Sequence, residues 1–135
     1  LVDALRRLAD QLSSSFGSRC EMIFEMDEFP LAAWVQDHLF RIAQELVVNA
    51  FKHAKSTCVF VRLSVAKQLL RLEVENDGMP FVQGKMGDEG LGTRFLRLRI
   101  SALGGRLSYS PRSTKESGTL ALCEVQLADR HRAKT

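Results

Sequence analysis

The sequence is poor in cysteine and in aromatic residues, and it contains no long hydrophobic run. Its three cysteines, Cys20, Cys58 and Cys123, lie far apart and form no Cys-x-x-Cys motif. This argues against a zinc site and predicts free thiols in a reducing compartment. No apolar stretch approaches the roughly 20 residues that a membrane-spanning helix requires, and the basic and then apolar opening of a secretion signal is not seen.

The remaining composition is typical of a globular domain. Hydrophobic residues make up 45% of the 135 residues and charged residues 26%, which excludes a disordered tail, a collagen-like rod and a coiled coil. The length fits one domain. The net charge of +3 is a mild bias toward anionic partners, and phosphates or nucleic acid would both satisfy it.

The spacing of hydrophobic residues predicts three helices and five strands. The predicted helices cover residues 1–15, 30–54 and 93–103, and the predicted strands cover residues 20–26, 58–65, 69–76, 106–110 and 118–127. Gly104 and Gly105 are expected to end the third helix. This order predicts an α+β fold, a two-layer α/β sandwich with a mixed, mostly antiparallel sheet and helices packed on one face.

A polar stripe runs along the second predicted helix. Glu45, Asn49 and His53 are four residues apart and share one face, with Lys52 beside them. The opposite face is apolar and is expected to pack on the sheet; it comprises Phe40, Ala43, Val47, Ala50 and Ala54. A solvated helix face alone would explain the stripe, but an Asn in mid-helix costs propensity. A carboxylate, an amide and cationic side chains together can also ligate a hard cation and neutralise phosphate.

Glycine-rich segments follow the third predicted strand. That strand ends in polar turn residues at positions 73–78, and Gly90-Leu91-Gly92-Thr93 immediately precedes a helix. Glycines before a helix let backbone N–H groups approach an anion. The segment lacks the Gly-Lys-Ser/Thr of a Walker A loop and the parallel strand–loop–helix unit of a dinucleotide fingerprint.

The order and spacing of these motifs resemble the ATP-binding (Bergerat-type) domain of sensor histidine kinases, within the gyrase, heat-shock-chaperone and mismatch-repair ATPase superfamily. Residues 41–56 are similar to that family's N box, residues 90–107 to its G2 box and helix, and residues 117–127 to its closing Gly-Thr strand. NDG at residues 76–78 stands where the G1 box, Asp-x-Gly-x-Gly, should be. The Lys-His-Ala ending of the N box resembles the subgroup of nitrate and membrane-fluidity sensors.

The resemblance covers about residues 20–128 and implies three parts of the chain. Residues 1–16 would be the end of a dimerisation helix or linker, residues 17–128 the ATP-binding catalytic domain, and residues 129–135 a frayed basic tail. Because the chain opens without an initiating Met, we expect a fragment of a longer kinase.

The resemblance also implies a role for each motif residue, with ATP and Mg²⁺ as the ligands. Asn49 would ligate Mg²⁺ bridging the nucleotide phosphates, and Glu45 would be the catalytic residue that orients or activates the reacting group. The other implied nucleotide-binding residues are Lys52 and His53 near phosphate or ribose, Asn76 and Gly78 in the G1 turn, Gly90, Leu91, Gly92 and Thr93 at the lid end and the phosphate-facing helix start, and Thr119 beneath the adenine.

Two residues depart from the family's G1 box. The family's first Asp accepts a hydrogen bond from the adenine amino group; Asn76 can still accept through its oxygen or donate from its amide, but it has lost the charge. Because charge-assisted hydrogen bonds are about twice as strong as neutral ones, we expect adenine binding to weaken about tenfold or more. Asp77 is not expected to substitute, since adjacent side chains of an extended chain face opposite ways. Pro80 replaces the last glycine, and proline fixes φ and lacks an N–H.

The implied function is the ATP-binding catalytic domain of a two-component sensor histidine kinase, which donates the ATP γ-phosphoryl group to a His on a separate dimerisation domain. The expected partners are that domain and, indirectly, a response regulator, with no nucleic acid and no direct membrane contact. The domain is expected in the cytoplasm, and its parent is expected to be a homodimer that can be anchored in the inner membrane. His38 is expected to be a surface histidine, so no phosphoacceptor is found and the chain alone is not expected to autophosphorylate.

Three other functions stay open. Asn76 and Pro80 motivate a degenerate pseudokinase module with weak or no nucleotide binding. A serine-phosphorylating, anti-sigma-type switch kinase of the same superfamily agrees less well with the helix at residues 1–15, which resembles a linker from a dimerisation domain. A basic nucleic-acid module has little support, because aromatic residues are only 7% of the chain, most occupy core-like positions, and no stacking motif is present.

Overall fold

The structure is a computed structural model that describes residues 1–79, 91–112 and 117–134. Within these ranges the chain forms three α-helices, five strands and a short 3₁₀ helix. The helices are α1 (Val2–Phe16), α2 (Ala33–Lys52) and α3 (Leu91–Ala102), the strands are β1 (Arg19–Met26), β2 (Cys58–Ala66), β3 (Leu69–Asn76), β4 (Arg106–Pro111) and β5 (Thr119–Gln126), and the 3₁₀ helix is Asp129–His131. The eight predicted elements are confirmed, with small shifts of their boundaries. The predictions for Pro80 and Gly90 lie outside the described residues.

The five strands form a sheet in the order β1-β2-β3-β5-β4. β1 pairs with β2 in parallel, and the other neighbouring strands are antiparallel. α2 forms the crossover between the two parallel strands, since parallel neighbours need a long connection. The predicted mixed, mostly antiparallel sheet is therefore confirmed.

The turn between β2 and β3 consists of Lys67 and Gln68, which both have positive φ (51° and 63°). Ala66 and Leu69 pair across it. The sequence pattern assigned Ala66 to the connection as well, whereas the structure includes it in β2. A two-residue hairpin with positive φ at both positions matches the twist of the flanking strands, but such turns favour Asn-Gly.

The core lies between the sheet and the helices. Alternate residues of β2, β3 and β5 are buried, whereas most of their neighbours on the other face are half-buried or exposed. Ala43, Val47 and Ala50 of α2 are buried in the same core, as predicted, while Phe40 and Ala54 are only half-buried. The other two helices contribute further buried residues, Leu5, Leu8, Leu96 and Ile100. The two-layer arrangement with helices on one face is thus confirmed.

The helix α1 packs on this core. Leu5 and Leu8 are buried, and Phe16 stacks on Phe51 of α2 with ring centroids 5.1 Å apart. The helix ends at Gly17, which has a left-handed φ of 62°. Its assignment to a dimerisation segment stays a prediction.

Among the helices in the described parts of the chain, none is long and apolar enough to cross a bilayer.

The C-terminal segment packs on the domain, so the prediction that residues 129–135 are frayed is wrong for the part that the structure describes. His131 is 2% exposed. Its Nδ1 accepts a hydrogen bond from Ala128 N–H (3.0 Å), and its Nε2 donates to the Leu103 carbonyl (2.9 Å). The ring also stacks on Trp34. A histidine with both nitrogens satisfied can be buried within a basic segment, and composition alone does not reveal it.

Candidate functional site

The polar stripe of α2 is the less buried side of that helix. Glu45 and Asn49 are half-buried and one turn apart, while Lys52 and His53 are exposed at the C-terminal end. His53 is the C-cap, and its backbone N–H donates to the Asn49 carbonyl (2.9 Å). A carboxylate, an amide and a cation therefore share one side of α2, and these are the groups that a metal-bound polyphosphate needs.

Glu45 lines a cavity of about 240 Å³ between α2 and α3. The walls that the structure describes are formed by Arg41, Gln44, Glu45, Phe95, Leu96 and Arg99. The guanidinium groups of Arg41 and Arg99 give this cavity donors for an anion, whereas the Glu45 carboxylate can only accept or bind a cation. Asn49 is not among the wall residues that the structure describes.

Tyr109 of β4 is a neighbour of Glu45 that the sequence motifs do not include. Burial raises the pKa of the Tyr109 phenol, while Arg97 lowers it and Glu45 raises it. Tyr109 pairs with the buried Ala121 of β5 and so lies on the helix-facing side of the sheet. The alternation of Leu107 and Tyr109 along β4 was the signal that could have identified it.

The end of β3 places Asn76 on the helix-facing side of the sheet. Asn76 is 6% exposed, and the residue paired with it on β5 is Thr119, which is also buried. The Asn76 Oδ1 accepts a hydrogen bond from Gly78 N–H (2.9 Å), as in an Asx turn. Four polar residues are buried among those that the structure describes, and two of them are Asn76 and Thr119. This pair therefore places polar groups within the largely apolar layer between the sheet and the helices.

Two glycines make the surroundings of Asn76 compact. A Cβ added to Gly78 would lie 2.2 Å from the Ala54 carbonyl oxygen, and one added to Gly118 would lie 2.1 Å from the Asn76 carbonyl oxygen. Met79 N–H also donates to the Ala54 carbonyl (2.8 Å). The turn after β3 is therefore held directly against the chain that leaves α2, which joins the G1-like turn to the N-box-like helix.

Asp77 turns away from Asn76 and binds the start of β2. Its carboxylate accepts hydrogen bonds from Thr57 N–H (2.9 Å), the Thr57 hydroxyl (2.5 Å) and Cys58 N–H (3.0 Å). Burial raises the pKa of the Asp77 carboxyl, but the hydrogen bonds from Thr57 and Cys58 outweigh it, so the pKa lies below the ordinary 3.8. Asp77 anchors the turn, and this orientation agrees with the prediction that it does not take the place of Asn76.

Leu91 and Gly92, which were predicted to precede the third helix, belong to the first turn of α3. α3 begins at Leu91, so Leu91, Gly92 and Thr93 form its first turn, whereas the sequence predicted a helix from residue 93. Gly92 has low helix propensity, which explains the difference. The first N–H groups of a helix have no intrahelical partner and remain available to an anion.

The donor atoms of α2 suit Mg²⁺ that arrives with a polyphosphate. Glu45 and Asn49 offer one carboxylate and one amide oxygen one turn apart. Mg²⁺ is commonly held by one or two such protein oxygens, with phosphates and waters completing its octahedron. In the described parts of the chain, no group of three or more His, Cys, Asp or Glu could hold a metal by itself.

The sequence is similar to a known ATPase family and to sensor kinases within it. Residues 34–129 match the family described as "Histidine kinase-, DNA gyrase B-, and HSP90-like ATPase". The sensor histidine kinase LiaS of Bacillus subtilis (strain 168) is 30% identical over 105 residues, which cover 78% of this chain and 29% of LiaS. The chain spans less than a third of the curated relatives that it matches.

Solved structures share the fold. The histidine kinase domain of the Erythrobacter litoralis EL346 blue-light activated histidine kinase superimposes with a TM-score of 0.74 at 24% identity, covering 91% of this chain and 59% of that one. The catalytic domain of the histidine kinase ThkA gives a TM-score of 0.69 at 19% identity, covering 96% and 94%. From the family match over residues 34–129, the chain belongs to the histidine kinase-, DNA gyrase B- and HSP90-like ATPase family and is a homologue of sensor histidine kinases.

Proposed function

We propose that this chain is the ATP-binding catalytic domain of a two-component sensor histidine kinase. The domain binds ATP with Mg²⁺ and donates the γ-phosphoryl group to a His on a separate dimerisation domain. The observation that carries the proposal is the buried pair of Asn76 and Thr119, held against the end of α2, the helix that also bears Glu45 and Asn49. The relatives named as sensor kinases support it.

The purine is held at the end of β3 in this proposal. Asn76 and Thr119 supply the polar groups, and Gly78 lets the turn approach α2 without an intervening side chain. Because Asn76 is neutral, its hydrogen bond to a base is worth about 1 kcal/mol, against about 1.5–3 kcal/mol for a bond to a charged group. Adenine is therefore expected to bind more weakly than it would to an Asp at this position.

The phosphates lie along the polar side of α2. Asn49 would hold Mg²⁺ through its amide oxygen, and the ion would neutralise phosphate charge. Lys52 provides an exposed cation for phosphate or ribose, and His53 beside it can donate to the same groups. Glu45, at the cavity wall, orients or activates the reacting group.

The lid end and the start of α3 complete the phosphate site in this proposal. Leu91, Gly92 and Thr93 offer the backbone N–H groups of a first helical turn, and Gly90 precedes them. With the nucleotide held between α2 and α3, catalysis consists mainly of positioning and charge neutralisation.

The acceptor histidine belongs to another domain. His38, predicted to be a surface residue, is half-buried beside Trp34, and its Nδ1 lies 3.3 Å from an Arg99 nitrogen. His131 has both ring nitrogens engaged. Neither has the free, exposed imidazole of a phosphoacceptor, and the exposed His53 is assigned to the nucleotide, so we expect no autophosphorylation by this chain alone.

The proposed partners are those of a complete sensor kinase, of which this chain would be one domain. They are the protein's own dimerisation domain, of which α1 would be the end, and through it a response regulator, in a homodimeric parent. Membership of the nitrate-sensor and membrane-fluidity-sensor subgroup is part of the same proposal, motivated by Lys52-His53-Ala54. So are a cytoplasmic position for the domain and an inner-membrane anchor for the parent.

Calorimetric titration with ATP, in the presence and absence of Mg²⁺, tests the proposal. We expect the wild-type chain to bind ATP with Mg²⁺, and Asn49→Ala to weaken binding by about 10–100-fold, the range typical of altered metal sites. Gln11→Ala removes an amide from the exposed side of α1 and should leave the affinity unchanged. Absence of binding at millimolar ATP, not restored by Asn76→Asp, would contradict the proposal and favour a degenerate signalling module.

A further inference from the structure

Arg41 and Arg99 are two cations of the cavity between α2 and α3 that lack a carboxylate partner. An Arg41 nitrogen donates to Gln44 Oε1 (3.3 Å), and an Arg99 nitrogen donates to His38 Nδ1 (3.3 Å), which must accept because a guanidinium only donates. Within the described ranges no carboxylate forms an ion pair with either arginine, whereas four other arginines each pair with a glutamate: Arg19, Arg62, Arg71 and Arg112. Two guanidinium charges at this cavity are therefore not neutralised by a direct ion pair.

The surroundings of the two arginines favour an anion. Arg99 is half-buried, and the apolar part of the cavity wall consists of Phe95 and the buried Leu96. Charges interact more strongly beside such a wall than in open water, because they are screened less. Among the described wall residues, the acidic one is Glu45, so two cations against one carboxylate leave these walls with a net positive charge.

The order of groups along α2 gives a bound nucleotide a direction. The turn that carries Asn76 contacts the Ala54 carbonyl, just past the end of the helix. Asn49, Glu45 and Arg41 follow in the opposite direction of the chain, each about 6 Å further along the helix axis. A nucleotide with its purine at Asn76 and its phosphates along α2 therefore points its terminal phosphoryl group toward Glu45 and the cavity.

The helix α3 brings the second arginine to the same end of the groove. Arg99 contacts His38, about two turns before Glu45 on α2, whereas Phe95 shares the cavity wall with Glu45. The start of α3 at Leu91 consequently lies toward Asn49. The two helices thus flank the phosphates at one end of the groove and present two guanidinium groups at the other.

We propose that Arg41 and Arg99 bind the terminal phosphoryl group of the nucleotide, on the side of Glu45 that lies away from Asn49. The inference rests on the proposed function and adds two binding residues to its site. A phosphoryl group beside the Glu45 carboxylate meets repulsion between like charges, and the two guanidinium groups offset it. Each guanidinium also presents parallel N–H groups that match two phosphoryl oxygens.

Calorimetric titration of the wild-type chain, Arg41→Gln and Arg99→Gln with ATP and with ADP, each with Mg²⁺, tests this assignment. ADP is the matched ligand, because it keeps the purine, the ribose and two phosphates and lacks only the terminal phosphoryl group. We expect each substitution to weaken ATP binding about 10–100-fold, the ratio that corresponds to one hydrogen bond between charged groups. The affinity for ADP should change less than about twofold, as expected for a substitution away from the ligand.

Arg106→Gln is the control for the loss of one positive charge. Arg106 is exposed, and its pairing with Glu124 places it on the face of the sheet away from the helices, so both affinities should stay unchanged. Thermal unfolding checks that each variant is folded, and if Arg99→Gln is not, the exposed Arg41 carries the test alone.

Two other outcomes separate this inference from the proposed function. Equal losses of ATP and ADP affinity in the folded variants, or no loss of either, would overturn the inference and leave the proposed function intact. If the wild type binds neither nucleotide and Asn76→Asp does not restore binding, the proposed function itself fails, and the assignment of the two arginines fails with it.

Discussion

Asp77 secures the turn that presents Asn76, so its loss should destabilise the fold. Asp77→Asn keeps the size of the side chain but weakens its hydrogen bonds to Thr57 and Cys58. Because these groups are partly exposed, we expect the free energy of unfolding to fall by about 1–2 kcal/mol. Urea denaturation measures this loss. Asp37→Asn, which changes an exposed carboxylate of α2, should cost less than about 0.5 kcal/mol, and equal losses in the two variants would argue against the anchoring role.

The same carboxylate should make stability depend on acid pH. Its pKa is below 3.8 in the folded protein, so the unfolded chain takes up the proton more readily. The contribution to stability is therefore present above pH 3.8 and is lost as the pH falls through the folded pKa. The difference in unfolding free energy between wild type and Asp77→Asn should shrink as the pH is lowered from neutral. A difference that stays constant with pH would show that Asp77 does not titrate in this way.

The three cysteines are free, as predicted, and their thiols should react slowly. Burial raises the pKa of Cys20 to about 11 and that of Cys123 to about 12. Since the thiolate is the nucleophile, iodoacetamide at about pH 8 should modify both far more slowly in the native protein than in urea. The raised pKa values also mean that the contribution of each thiol to stability is complete below 9.0. It is lost as the pH rises through about 11 for Cys20 and about 12 for Cys123. If mass spectrometry showed that iodoacetamide modifies Cys123 in the native protein as fast as in the unfolded chain, the predicted slow reaction would be refuted.

At the element scale, the hydrophobic spacing predicted all eight elements because β2, β3 and β5 alternate and α2 keeps one continuous buried face. Two errors have different causes, the low helix propensity of a glycine and a long-range contact. Gly92 resembles a loop residue in sequence but lies in the first turn of α3. His131 is buried by a hydrogen bond to Leu103, 28 residues away, which no local pattern encodes.

The β2–β3 turn offers a stabilising substitution. Gln68 has a φ of 63°, and glycine adopts such a conformation without strain, so Gln68→Gly should raise the free energy of unfolding by about 0.5–1 kcal/mol. The Gln68 carbonyl, which accepts from Leu127 N–H (2.7 Å), is kept. Urea denaturation is the measurement, with Ser64→Gly in the middle of β2 as the control, which should lose about 0.5–1 kcal/mol. A loss in Gln68→Gly would contradict the assignment of this turn.

At the scale of the whole molecule, the sheet register assembles the candidate site. The motifs alone indicated that Asn76 and Thr119 serve one site, but only the pairing of β3 with β5 sets them side by side. The contact of Asp77 with Thr57 depends in the same way on how β2 and β3 align. Register follows from packing across the core, so the sequence could predict the members of the site but not their contacts.

The most direct test of this account is a crystal structure of the chain with Mg²⁺ and a non-hydrolysable purine nucleoside triphosphate. We expect the C6 substituent of the base within hydrogen-bond distance of Asn76, Thr119 beside the ring, and the Asn49 amide oxygen on the Mg²⁺. A nucleotide bound away from α2, or Asn76 covered by protein side chains that leave no room for a purine, would contradict it.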